Sequence, residues 1–288
     1  MTPAGEHPVI VDFHTHIFPP AVVRARDRFL ARDEGFKELY SNPRARLATA
    51  EDLLRSMDDS EVDISVVQGF GWSSHDLCRA HNDYLLEAAA RSNGRLLAFC
   101  TLQPLAREAA LGEAERVAAA GAAGLGELRP HTQGYSLASA EGELLSGISE
   151  RLGLPLLFHV SEPVGHRYPG KSGLPMAEFY EFARDHPGCR IIGAHWGGGL
   201  PLYGVMPELR TELASTWFDT AASSLLYRDR IYEAAIEALG ADRILFASDY
   251  PLLNQSAQLQ TLRALEIDED HRRAIAGANA AGLLRIGA

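Results

Sequence analysis

Two histidines one residue apart, His14 and His16, close a short apolar run at 9–13. A β-strand alternates its side chains between two faces, so residues two apart point the same way. Both imidazoles therefore leave the strand end on one side, close enough to bind one metal ion. Further groups able to ligate a cation stand at the ends of later apolar runs: Glu127, His159, His195 and Asp249. Imidazole nitrogen combined with carboxylate oxygen suits zinc, with manganese, iron or nickel as alternatives. Each residue also has an ordinary structural role open to it. His159 could be a hydrogen-bonded core histidine, and His195 a polar turn residue before Trp196. Glu127 could pair with Arg129, and Asp249 could form a turn or cap. Six such groups at strand ends favour one shared site, holding one or two cations.

Groups this far apart in sequence meet only if the fold brings strand ends to one rim. Short apolar runs at 9–13, 64–68, 96–101, 124–128, 156–159, 190–194, 217–220 and 244–247 read as strands. Helical patterns at 50–58, 76–92, 107–120, 141–152, 175–185 and 226–239, with two or three more after 255, fill the gaps. Eight strands alternating with helices imply a parallel sheet, and eight can close into a barrel. An open doubly wound sheet competes, but no Gly-x-Gly-x-x-Gly follows the first strand. The expected fold class is therefore α/β: a (β/α)8 TIM barrel, one domain over 1–288, with loop insertions after strands 1 and 5. The length of 288 residues suits such a barrel, typically ~250 residues. In that fold the chemistry sits at the carboxyl ends of the strands, where all six candidates fall. The two long connections, 17–49 and 160–174, should overhang the same mouth, as functional lids often do.

The formal charge of −11 argues against nucleic acid as a partner, because backbone binding needs a basic stripe. Three scattered cysteines, Cys78, Cys100 and Cys189, suggest no disulfide framework and fit a reducing, cytoplasmic setting. The N-terminus lacks a basic start with an apolar stretch, and no apolar segment approaches ~18 residues, so neither a signal peptide nor a membrane partner is expected. A homo-oligomer is compatible with this composition, as with many soluble enzymes, but no interface is legible.

The motifs Asp12-x-His14-x-His16, His159 after an apolar strand, His195-x-Gly197-Gly198 and Ser248-Asp249-Tyr250-Pro251 together resemble the amidohydrolase superfamily. They are similar to the branch that includes aminocarboxymuconate-semialdehyde decarboxylase and related lyases, and the terminal Asn279-Ala280-Ala281-Gly282-Leu283-Leu284 resembles that branch's closing helix. The resemblance covers essentially the whole chain. It implies that His14, His16 and Asp249 hold a first metal. His159 and His195 would hold a second, or His159 would join the first site while His195 orients water. On strand four some members carry a lysine that becomes a bridging carbamate. This chain has Glu127, and an unmodified carboxylate can bridge two cations, which tilts the expectation toward a two-metal hydrolase.

The expected function is thus hydrolysis of a small cyclic or carboxylated amide, lactone or ester. Cation-activated hydroxide would attack the carbonyl, and Asp249 would shuttle the proton. The alternative is a lyase with one metal and His195 as acid–base, performing decarboxylation or hydration of an unsaturated or aromatic acid. A metal-stabilised binding protein is a distant third. Substrate contacts are expected from Arg129 and His131 beyond strand four, from His166, Tyr168 and Lys171 in the loop after strand five, and from Trp72 after strand two. Arg129 could grip a carboxylate through a bidentate pair, and Trp72 could offer a flat wall.

Overall fold

The computed structural model describes residues 9–171 and 173–286. Eight parallel strands lie in chain order: β1 (Val11–His16), β2 (Ile64–Gln68), β3 (Leu96–Cys100), β4 (Gly124–Leu128), β5 (Leu156–Phe158), β6 (Ile191–Gly193), β7 (Thr216–Asp219) and β8 (Ile244–Leu245). Contacts between β1 and the chain after β8 close the sheet on itself. Phe13 N donates to Phe246 O, Asp249 N donates to His14 O, and Thr15 and Tyr250 form a parallel bridge. Each strand is followed by a helix: α1 (Ala50–Ser60), α2 (His75–Arg91), α3 (Glu108–Ala119), α4 (Ala140–Leu152), α5 (Met176–Asp185), α6 (Pro207–Glu212), α7 (Arg230–Leu239) and α8 (Gln255–Ala264). This is the expected (β/α)8 barrel.

Periodicity explains the layers. In α1, Leu53 and Met57 lie one turn apart and are both fully buried, and Thr49 and Asp52 form a capping box at its start. The barrel interior is filled by Val11, Phe13, Val66, Phe99, Leu157, Ile192 and Leu245. Gly124 admits the Phe99 ring to the space where its own β-carbon would stand, 2.3 Å from that ring. Ala280 and Leu283, from the helix Asn279–Leu284, join the same cluster and plug the floor.

Two irregularities aim the mouth residues. Along β1 three steps, Asp12 to Thr15, are matched by two on β2, Ser65 to Val67. One extra residue reverses the alternation, so Val11 and Phe13 face the interior and so do His14 and His16. β4 repeats the device, with Leu125 to Leu128 set against Leu156 to Phe158. β1 also runs to His16, past the expected end at 13, because Thr15 and His16 still pair with β2.

Both expected insertions overhang the mouth. After β1, three short helices, Pro20–Arg24, Arg26–Leu30 and Glu34–Tyr40, form a lid. Its cluster of Phe18, Val22 and Phe36 packs on Phe70, Trp72, Leu77 and Cys78 from the β2 side. Asp33 caps the third lid helix through Phe36 N and also accepts from Ser73 N and Oγ at 2.8 and 2.7 Å. After β5, Val160–Ser161 pairs in parallel with Leu174–Pro175 and brackets the second insertion. Among the described residues no helix is long and apolar enough to cross a membrane, and all three cysteines are free and buried.

Candidate metal centre

The six predicted groups converge. His14 Nε2 lies 3.0 Å from His16 Nε2, and His16 Nε2 lies 3.5 Å from Asp249 Oδ1. Glu127 stands in the middle. Its carboxylate is 2.7 Å from His159 Nδ1, 3.4 Å from His195 Nε2, 3.7 Å from His16 and 3.9 Å from His14. Two groupings of three place their donor atoms within 4.8 Å of one another: His14, His16 and Asp249, and His14, Glu127 and His195. His159 belongs to neither. Its Nδ1 faces Glu127, and its Nε2 is 2.9 Å from the Gly170 carbonyl.

His195 reaches the centre through unusual backbone. Five successive residues, His195 to Gly199, have φ between +54° and +93°. Left-handed backbone favours glycine, which explains three glycines in a row here. A β-carbon on Gly198 would also lie 2.7 Å from Ser161 O. Trp196 holds the turn down, donating to Ser223 Oγ at 2.6 Å and standing edge-on to Tyr232. His195 Nδ1 lies 3.3 Å from Ala221 O, so a proton there leaves Nε2 free to face the centre.

One residue of the centre, Asp219 at the end of β7, was missed from sequence. It accepts from His14 Nδ1 at 2.7 Å and from the backbone N of His195 and Ala221 at 2.9 and 3.0 Å. The signal was present: an acid at the carboxyl end of an expected strand, as for Glu127.

Electrostatics follow from burial and these neighbours. Burial lowers the pKa of His14, but the Asp219 carboxylate outweighs it and holds His14 up at about 10. Burial, with His14 alongside, pushes His16 down to about 4. Burial raises Glu127, yet His159, His195 and His14 hold its carboxyl well below the usual range. His14 therefore carries a proton toward His16 when no cation is bound. A divalent cation held by His14, His16 and Asp249 would replace that proton and offset the Glu127 and Asp249 charges. This donor set of neutral imidazole and carboxylate fits such an ion.

Above the centre lies a cavity of about 520 Å³. Its floor holds His16, Glu127, His159, His195 and Asp249, and its walls include Leu39, Leu225, Leu226 and Leu252. Of the expected substrate contacts, His166 and Tyr168 line it. Lys171 lines a neighbouring cleft, and its Nζ donates to the Val164 and His166 carbonyls, which ties the loop to itself. Trp72 is no cavity wall. It is buried under the lid, stacked on Phe36 at 5.0 Å, with its Nε1 donating to His81 Nδ1. His131 also points away from the mouth, toward Glu178 on α5, because Pro130–Gln133 turns into a short helix. Arg129 is wholly buried and forms no ion pair with Glu127. Tyr40 and Arg44, from the lid, line the cavity and carried no sequence signal of their own.

A closed parallel barrel with imidazoles and carboxylates gathered at its carboxyl rim defines a metal-dependent barrel enzyme. The family model described as Amidohydrolase matches residues 11–286, and the chain belongs to that family. No curated protein sequence matches it. Among solved structures, 5-carboxyvanillate decarboxylase from Sphingomonas paucimobilis superposes with a TM-score of 0.76 at 21% identity, covering 97% of this chain and 99% of that one. 2,6-Dihydroxybenzoate decarboxylase from Rhizobium gives 0.75 at 21%, covering 98% and 100%. The 5-carboxyvanillate decarboxylase of Novosphingobium aromaticivorans, solved with manganese and 4-hydroxy-3-methoxy-5-nitrobenzoic acid, gives 0.79 at 17%, covering 96% of each.

Proposed function

We propose that this protein is a metal-dependent lyase that removes carboxylate from an aromatic acid without oxidation, rather than the hydrolase that Glu127 suggested. The observation that carries this reading is the sharing of His14. Both ligand groupings use it, its Nδ1 is engaged by Asp219, and only Nε2 remains. One nitrogen serves one cation, and His159 stands outside both groupings. A one-cation centre is what the lyase alternative requires. The 5-carboxyvanillate and 2,6-dihydroxybenzoate decarboxylases among the structural neighbours support the same reading.

In this assignment His14, His16 and Asp249 hold the cation, and the donor set accepts manganese as well as zinc. Bound there, the cation would supply positive charge that orients the acid and stabilises negative charge on the ring. The remaining work falls to the protein. The leucine walls hold a flat ring against the floor. His195 stands on the cavity floor, with Nδ1 toward the Ala221 carbonyl and Nε2 3.4 Å from Glu127, and is the acid in this reading. It gives its proton to the ring carbon bearing the carboxylate. The carbon–carbon bond then breaks, its electrons restore the aromatic ring, carbon dioxide leaves, and solvent returns the proton to His195.

The test is direct. Protein loaded with manganese or zinc is incubated with a panel of hydroxybenzoates, and carbon dioxide and the decarboxylated arene are measured with metal content per chain. We expect about one ion per chain and stoichiometric carbon dioxide. Two tightly bound ions, with turnover of lactones or amides and no carbon dioxide, would overturn the proposal in favour of the hydrolase.

A further inference from the structure

Arg129 is 0% exposed, and none of its three guanidinium nitrogens has a hydrogen-bond partner among the described residues. The side chain is nonetheless held in place. Its β-carbon packs where a side chain on Gly71 would stand, 2.9 Å away, and its guanidinium lies 5.8 Å from the centre of the Phe70 ring. The Arg129 backbone is satisfied: its N donates to Gln133 Oε1 and its carbonyl accepts from Gln133 N. The unmet demand is confined to the charged head. An unpaired buried guanidinium is strongly unfavourable, so this head is placed for something other than stability.

Its position is next to the metal centre. The direction in which a side chain would leave Gly170 lies 3.5 Å from Arg129 Nη2 and 3.9 Å from His159 Cε1. The Gly170 carbonyl itself receives His159 Nε2 at 2.9 Å. The Gly170 backbone thus lies over both side chains, with its carbonyl on His159, and covers a guanidinium head for which a carboxylate would be the natural partner. Gly170 has φ +95°, a conformation that suits glycine, and a β-carbon there would stand 2.9 Å from Leu39 Cδ2 of the lid.

We propose that Arg129 is the receptor for a second carboxylate of the substrate, so that the protein acts on a dicarboxylated aromatic acid. One carboxylate lies over His195 and Asp249 and leaves as carbon dioxide. The other moves the Gly170 backbone off the guanidinium, is gripped by that planar group and stays on the product. This rests on the decarboxylase reading for which carboxylate departs, but the binding claim is measured without turnover.

The experiment is thermal unfolding of the metal-loaded protein, with benzene-1,3-dicarboxylate and benzoate as probes, for wild type, Arg129→Met and Arg129→Lys. The dicarboxylate is expected to stabilise the wild type more than benzoate does. In Arg129→Met that preference disappears, while the ligand-free variant melts at or above the wild type because an unpaired charge is gone. Arg129→Lys, which keeps the charge without the fork, loses about tenfold or more in dicarboxylate affinity. Three results would overturn the proposal: no preference in the wild type, the preference retained in Arg129→Met, or a ligand-free Arg129→Met that melts well below the wild type, which would make Arg129 a packing residue. Absence of carbon dioxide release would sink the lyase reading while leaving this binding preference measurable.

Discussion

In the proposed centre, Asp219 fixes which nitrogen of His14 carries its proton and so which one is offered to a cation. Asp219 accepts from Nδ1, so Nε2 is presented to His16 and the centre. Such outer partners of metal-ligating histidines typically contribute 10–100-fold in affinity. Asp219→Asn, nearly the same shape without the charge, is therefore expected to weaken cation binding by about that factor, read by competition with a chelator. A second reading separates charge from shape. Because Asp219 holds His14 up at about 10, a proton competes with the cation across neutral pH, and binding tightens as pH rises. In Asp219→Asn this pH dependence should move to lower pH. Unchanged affinity and an unmoved profile would show that Asp219 only supports the fold. At this scale much was legible. His14, His16 and Asp249 could be read because strand ends were recognisable, and Asp219 meets the same criterion. Trp72 and His131 could not be placed, since sequence shows that a side chain follows a strand but not which way the loop then turns it.

Elements aim the site. His81 on α2 is buried and joins two connections: its Nε2 lies 2.8 Å from Ile17 O, and its Nδ1 accepts from Phe70 N and Trp72 Nε1. Its ring also stacks on Phe18 of the lid cluster at 5.2 Å. Accepting two N–H groups requires the neutral ring, and burial lowers its pKa from 6.5 to about 4. Between those values the unfolded chain binds more protons than the folded one. His81's stabilisation is therefore complete above pH 6.5 and is lost as pH falls toward 4, by about 3 kcal/mol in all. Denaturant titrations across this range should show the wild type losing about that much more than His81→Gln. Equal losses would remove His81 as the cause. The bulges of β1 and β4 act at the same scale, each turning a chemical residue inward that strict alternation would have sent out.

For the whole molecule, closure depends on the chain's last segment sealing the barrel floor. Gly277 lies against β1's approach so closely that a β-carbon would stand 1.9 Å from Val9 O. Gly277→Ala must push this segment off the floor, where Phe246 N donates to Ile275 O, and is expected to lower unfolding free energy by about 1–3 kcal/mol or more. Gly282→Ala, five residues on and with nothing within 4 Å of its β-carbon, is the control and should be neutral or slightly stabilising. Matching melting curves for the two variants would contradict this account of the floor. The eight-strand alternation, the two mouth insertions and the types of the ligating groups could all be taken from sequence. Each is written in the periodicity and end residues of one local segment. Only the tertiary structure decided that His14 is shared between the groupings, that His159 is capped by Gly170, and that Arg129 is buried without a hydrogen-bond partner among the described residues. Those facts depend on contacts between distant segments. One extra residue in a strand or one glycine lying on a histidine sets them, and neither leaves a period in the sequence.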